Sequence, residues 1–329
     1  MKRALTASEE RSERGAEQLG VVISQQQIQE AFDDPKLANV LYHDWEAQTY
    51  DQKWSISFDE RCIDYARGRF ELIAGQVGWP YANALELGCG TGFFSLNLKQ
   101  AGVLDRVSVT DISSGMVAAA QENARGLGFE IDGRVADAES IPYADDSFDV
   151  VVGHAILHHI PDVERALREV LRVLKPGGRF VFAGEPTRAG DAIARRLSRA
   201  TWWTATRATR LPMLADWRRP QQELDESSAA AALESVVDLH TFVPARLRRM
   251  GLAAGGVDVV VRTEELTAAW YGWPARTLEY AVSEDKLGWA WAMFSYRAWQ
   301  RLSALDAAVF AKFVPPGLFY NALITGNKA

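Results

Sequence analysis

Cysteine is scarce: Cys62 and Cys89 are the two in 329 residues. Two distant thiols exclude a disulfide framework and a four-thiolate zinc site, and they fit a reducing compartment. No apolar run approaches the ~20 residues of a membrane-spanning helix. The opening "MKRALTASEERSERGAEQLG" lacks the apolar stretch of a secretory signal. Its density of charge predicts a disordered or fraying tail over residues 1–20. These absences together predict a cytoplasmic protein. Positive charge is also in deficit, with a formal net charge of -7, which argues against a nucleic-acid partner. His43 and His240 show no metal-ligand spacing, and no metal is expected. There is no internal repeat.

What is present is a central block in which strands and helices alternate. "NALELG" (83–88), "RVSVTD" (106–111), "IDGRVAD" (131–137), "SFDVVVGHA" (147–155) and "RFVFAGE" (179–185) read as strands. Between them lie helical patterns at 92–102, at 113–128 with Ser113 as N-cap, and at 162–178. In the last, Val163, Ala166, Leu167, Val170, Leu171 and Leu174 follow helical spacing. Asp162 opens that helix and Pro176-Gly177-Gly178 is expected to close it. Such alternation predicts a parallel sheet covered on both faces, with ligands bound beyond the carboxyl ends of the strands. Gly88 to Gly92, Asp111, Asp137, His154 and Glu185 all fall at such ends, so they are expected to converge on one crevice.

"ALELGCGTGFF" (84–94) places Gly88, Gly90 and Gly92 at alternate positions where a strand gives way to a helix. A dinucleotide site would show Gly-x-Gly-x-x-Gly, with an acid about 20 residues on. The spacing here is Gly-x-Gly-x-Gly, and Phe93 fills the place of the last glycine. Asp111 stands where a carboxylate can accept hydrogen bonds from both hydroxyls of a ribose. That suits NAD or another adenosine ligand equally. The remaining alternative is that the glycines serve tight strand–helix packing.

The whole constellation resembles the class I S-adenosylmethionine-dependent methyltransferases. "LELGCGTG" (85–92), "VTDISSGMVAAAQENA" (109–124), "RVADAESIPYADDSFDVVVGHAILHHIPD" (134–162) and "ALREVLRVLKPGGRFVFAGEP" (166–186) carry the likeness. The resemblance implies an α/β Rossmann-like sheet of seven strands, mostly parallel, with 255–266 and 317–328 as the sixth and the antiparallel seventh. It implies S-adenosyl-L-methionine as cofactor. Glu86, Gly88, Cys89, Gly90 and Gly92 would form the turn that holds its methionine moiety, and Asp111 would take the ribose hydroxyls. Ile112 and Met116 would line the adenine slot, Asp137 with Ala138 would meet the adenine amino group, and His154 would sit beside the sulfonium. Tyr50 and Asp51 match a Tyr-Asp pair that reaches over the cofactor in similar enzymes, with Tyr50 expected at the methionine end.

A sulfonium cofactor is already activated, so the protein's task is to align a nucleophile with the methyl group and, where needed, remove its proton. His158, His159 and Glu185 are the candidate bases. Histidine titrates near neutrality, and Glu185 is expected at the crevice mouth, where desolvation would raise its pKa. An ordinary loop is the alternative for the His-His pair, and structural support the alternative for Glu185. Cys89 reads as a small motif residue, since the reaction needs no thiol nucleophile.

Acceptor choice is expected from outside the 83–187 core. No tryptophan lies between 80 and 201, whereas Trp45, Trp54 and Trp79 precede the block and eight follow it. Residues 21–82 read as a helical lead-in. Residues 188–245 and about 267–313 of the 246–329 segment read as helical cap insertions. Their aromatic content suits a lipophilic or aromatic small-molecule acceptor, though most of these rings can equally be the cap's own core. Residues 188–219 hold eight arginines against two acids. A solvated amphipathic face, an anionic or carrier-linked acceptor, and a peripheral membrane contact are the readings of that stretch.

Overall fold

A computed structural model describes residues 34–47, 49–54, 56–225 and 237–329. The expected tail at 1–20, the start of the lead-in and part of the 188–245 insertion lie outside the described residues. Seven strands form one sheet: β1 (Tyr81–Leu87), β2 (Leu104–Asp111), β3 (Asp132–Val135), β4 (Phe148–His154), β5 (Leu174–Pro186), β6 (Val257–Glu264) and β7 (Asn321–Asn327). Their spatial order is β3-β2-β1-β4-β5-β7-β6. The first five run parallel, and β7 lies antiparallel between β5 and β6. Val150, Val151 and Val152 on β4 are all fully buried, as expected for a strand covered on both faces.

Helices with these bounds accompany the sheet. The lead-in supplies α1 (Pro35–Glu46), α2 (Tyr50–Trp54) and α3 (Glu60–Ala74). The crossovers are α4 (Phe93–Gln100), α5 (Ser114–Gly126) and α6 (Val163–Val173). Later come α7 (Arg188–Ala208), α8 (Pro244–Ala253), α9 (Thr267–Ala281) and α10 (Trp289–Ala308). The α6 helix buries Val163, Ala166, Leu167, Val170 and Leu171 against the sheet, each large side chain contributing about 1.5–3 kcal/mol. Asp306 on α10 is buried and caps α9, accepting from the backbone N–H groups of Leu266, Thr267 and Ala268. None of these helices is long and apolar enough to cross a membrane.

Two boundaries differ from expectation. The α6 helix ends at Val173, not at the Pro176-Gly177-Gly178 stop. Leu174 already pairs with Phe148, and the register then shifts so that Arg179 pairs with Val150. The proline and glycines therefore make a bulge in β5. Strand β3 stops at Val135, leaving Asp137 in the turn that follows.

The chain runs outward from β1 to β3, then returns to β4 beside β1. The order reverses between these two strands, and in open α/β sheets the ligand crevice lies at the carboxyl ends beside such a reversal.

Candidate active site

The glycine turn leaves β1 at this reversal. A Cβ on Gly88 would lie 2.2 Å from the Ile156 side chain, so that glycine is required by packing. Gly90 differs. Its φ is +50°, and among the described residues an added Cβ would meet only the Tyr50 ring, at 3.8 Å. Its bare face is thus turned to open space under an aromatic ring, and a flat or extended ligand fits that cradle. Asp111, at the end of β2, accepts from Gly90 N (2.9 Å) and from Ser113 N (2.9 Å). Each oxygen keeps a further lone pair, which suits a diol. Burial holds this carboxyl up at about 6. Met116 is buried and Ile112 half-buried beside it.

The lead-in helices close over the same end. Asp44 Oδ1 on α1 accepts from Gly115 N (2.9 Å) and from the Ser113 hydroxyl, at the start of α5. Acidic charge there matches the positive end of the helix dipole. Asp51 on α2 takes the Thr91 hydroxyl and the Asn123 amide. Lys36 Nζ reaches Asp137 (2.6 Å) and Glu139 (2.9 Å). Asp137 also accepts from Glu139 N, and Ala138 packs partly against the core. The structure therefore brings Tyr50, Gly90, Asp111 and Asp137 to one crevice.

Two expected ligand contacts turn elsewhere. Glu86 is buried and bonds the backbone N–H and hydroxyl of Ser95, anchoring α4, and burial raises its carboxyl to about 8. Cys89 is buried, and burial drives its thiol well above the usual range, which leaves it an unreactive packing residue.

Beyond β4, the chain makes a short 3-10 turn at Leu157–His159. Glu185 lies under that turn with no exposed surface, not at the crevice mouth as expected. Its oxygens accept from Ile156 N (3.0 Å), Leu157 N (2.9 Å), His158 N (3.1 Å) and His158 Nδ1 (2.9 Å). A carboxylate bonded in this way is a positioning group, not a base for an incoming molecule. A carboxylate can only accept, so it places a proton on His158 Nδ1. Nε2 lies 3.7 Å from Asp238 Oδ1, and Asp238 in turn meets Arg195 at 3.3 Å.

His159 is placed differently. Its Nδ1–H donates to the Val237 carbonyl (2.9 Å), and burial pushes its pKa well down. The His43 ring packs edge-on against it. His158, His159 and Asp238 offer ligand-type atoms within 4.8 Å of one another. Because the His159 Nδ1 is protonated toward a carbonyl, that atom has no lone pair to give a cation.

His154 ends β4 among Tyr65, Phe93 and Phe94. Its Nε2 lies 3.2 Å from the Tyr65 hydroxyl, and burial lowers its pKa to about 4, so the ring is neutral. Behind Tyr65 lies a buried charge cluster that local sequence signals do not reveal. The Arg69 guanidinium stacks on the Tyr65 ring (3.8 Å) and pairs with Glu264 (2.8 Å) and Glu265 (2.9 Å). Burial raises both of those carboxyls. They line a cavity of about 400 Å³ that also meets Ser303 and Asp306.

Comparison with known proteins fits this geometry. Residues 85–182 match the family model described as a methyltransferase domain. A malonyl-acyl-carrier-protein O-methyltransferase of Alcanivorax borkumensis is 30% identical over 233 residues, covering 70% of this chain and 77% of that protein. The 27-O-demethylrifamycin SV methyltransferase of Amycolatopsis mediterranei is 37% identical over 145 residues, covering 42% of this chain and 50% of that protein. The chain spans 66% of the length of another malonyl-acyl-carrier-protein O-methyltransferase that it matches. Among solved structures, phosphoethanolamine N-methyltransferase 2 of Haemonchus contortus superposes with a TM-score of 0.50 at 15% identity. That match covers 80% of this chain and 52% of that one, and it speaks for the fold.

Proposed function

Because the chain belongs to the class I S-adenosylmethionine-dependent methyltransferases, we propose that it methylates an oxygen of a small lipophilic acceptor deprotonated by His158. The observation that carries this reading is the His158–Glu185 pair at 2.9 Å. In this reading the neutral ring, its proton held on Nδ1 by Glu185, offers Nε2 to the acceptor's proton. One relative is named as an O-methyltransferase and another as a 27-O-demethylrifamycin SV methyltransferase, and both names support oxygen as the accepting atom.

When bound, S-adenosylmethionine supplies a methyl group on a sulfonium sulfur, an electrophile that needs no further activation. Gly88 to Gly92 and Tyr50 would hold its methionine end. Asp111 would hold the ribose diol, Ile112 and Met116 the adenine ring, and Asp137 with Ala138 the adenine amino group. His158 Nε2 takes the acceptor's proton as the oxygen attacks. Glu185 keeps the ring oriented through Nδ1–H, and Asp238 faces the positive charge that the ring gains. General-base help of this kind contributes roughly 10²–10⁴ in rate. The neutral rings of His154 and His159 shape the wall without competing for the proton.

The test is incubation with isotope-labelled cofactor and a panel of phenols, hydroxylated macrocycles, carboxylates and amines, read by mass spectrometry. The expected product carries one labelled methyl on oxygen. Label on nitrogen or carbon alone would overturn the oxygen assignment.

A further inference from the structure

The cap helices end in a face that the proposed chemistry does not use. The turn after α7 is tied back to it by Leu211 N on Ala208 O and by Arg218 Nε on Thr209 O. The same turn joins the far end of α9 through Ser283 N on Trp217 O and Arg219 Nη1 on the Glu279 and Tyr280 carbonyls. Trp291 Nε1 on Glu279 (2.8 Å) brings the start of α10 to the same place. One end of the cap therefore gathers the C-terminal half of α7, the turn Pro212–Trp217 and the first turns of α10.

Large apolar side chains stand out from this end. Met213 is 85% exposed, Trp289 72%, Phe294 61% and Trp203 59%. The turn Pro212–Trp217 buries none of its residues. Exposed arginines stand on the same stretch at 199, 207, 210 and 218, with the acids Asp216 and Asp285 also exposed there, and the Arg207 guanidinium stacks on the Trp203 ring at 4.1 Å.

We propose that this end of the cap docks the protein on an anionic lipid bilayer. Tryptophan and arginine pair an apolar body with a polar tip and settle at the headgroup level. Met213 and Phe294 supply apolar groups for the acyl boundary. The arginines meet anionic headgroups, whose attraction fades beyond a Debye length of about 8 Å. The chain as a whole is acidic, at -7, so an anionic surface repels most orientations and favours the one that turns this basic end toward it. Single protruding side chains with arginines beside them fit a fluid surface better than the contiguous packed patch of a protein interface.

The docking face also has a fixed relation to the chemistry. Helix α7 starts after β5 with Thr187 alone between them, and carries Arg195 of the Asp238–Arg195 pair. Its 21 residues carry the chain about 30 Å outward. A protein seated by this end would hold its crevice at about that height or lower above the lipid, whichever acceptor it uses.

Flotation of the full chain with vesicles tests the proposal. Binding is expected to vesicles of equal parts phosphatidylcholine and phosphatidylglycerol, and not to phosphatidylcholine alone. Added salt should weaken it. The double variants Met213→Glu/Trp289→Glu and Arg207→Glu/Arg210→Glu should each lower binding about tenfold or more. Their unfolding temperature and affinity for S-adenosylhomocysteine should stay at the wild-type values, since all four side chains are exposed. Absence of vesicle binding, or binding that the variants leave intact, overturns the proposal. So does a wild-type dimer in sedimentation velocity that the same variants dissolve, or capture of an acidic carrier protein in place of vesicles.

Discussion

Glu185 Oε2 lies 2.9 Å from His158 Nδ1, and the same carboxylate also holds the backbone N–H groups of Ile156, Leu157 and His158. One buried charge therefore sets both the shape of the turn and the tautomer of the ring it presents. Glu185→Gln keeps the size but offers a single acceptor oxygen and an NH₂ group. The amide would push a proton toward Nε2, leaving no lone pair for the acceptor. Turnover is expected to fall by roughly 10²–10⁴. The unfolding temperature should drop as well, because a buried N–H left unpaired costs about 1–3 kcal/mol. His158→Gln should lose turnover by a similar factor with little loss of stability. Turnover unchanged in His158→Gln would remove the base role.

The glycines separate packing from binding. Gly88→Ala places its Cβ against Ile156 and should lower the unfolding temperature whether or not ligand is present. Among the described residues the Cβ of Gly90→Val meets only Tyr50, at the distance of an ordinary contact. Its cost is a positive φ, roughly 1–2 kcal/mol. The fold should survive while binding of S-adenosylhomocysteine is abolished. Calorimetry that finds wild-type affinity in Gly90→Val would mean the cradle is not the ligand's seat.

Asp111 predicts a pH dependence of binding. Burial holds its carboxyl up at about 6, and the ionised form is the better acceptor for two hydroxyls. Affinity for S-adenosylhomocysteine should therefore rise as pH climbs through about 6 and level off above it. Asp111→Asn should flatten this profile and weaken binding by roughly 1–3 kcal/mol. A profile that stays flat in the wild type would show that Asp111 does not face the ligand.

Glu86 predicts a pH dependence of stability. Its folded-state pKa is raised from 4.5 to about 8. Its contribution to stability is full below the unfolded value and is lost as pH rises through about 8. Each pH unit between the two removes about 1.4 kcal/mol. Glu86→Gln keeps an acceptor for Ser95 and cannot ionise. Its melting temperature should therefore fall less than that of the wild type between neutral and alkaline pH. Parallel curves for the two proteins would contradict the assignment.

The first five strands, their helices and the glycine turn were legible because their signals are local: apolar runs, helical spacing, and glycines at a strand's end; the antiparallel seventh strand followed only from the resemblance. The stop at Pro176-Gly177-Gly178 misled because those residues break a strand as readily as a helix. What decides is the pairing of Leu174 with Phe148 and of Gly178 O with Lys328 N, which the local pattern does not carry. The polar contacts of the site were less legible for the same reason. Asp44 serves Gly115, and Lys36 serves Asp137, across long stretches of chain. Glu185 stands at the end of a strand, as expected of a ligand-facing acid, yet the Leu157–His159 turn that follows β4 covers it. The Arg69 cluster joins α3 to the end of β6, and only the folded chain brings Glu264 and Glu265 to one guanidinium.

The most direct test feeds isotope-labelled S-adenosylmethionine and cell extract to the wild type and to His158→Gln, and follows label into solvent-extractable small molecules. Affinity for S-adenosylhomocysteine is measured in parallel for both proteins. The account predicts a labelled lipophilic product with the wild type. With the variant it predicts at least a roughly hundredfold loss of label and an affinity within about threefold of wild type. Equal labelling by the two proteins, or loss of both label and affinity together, would contradict it.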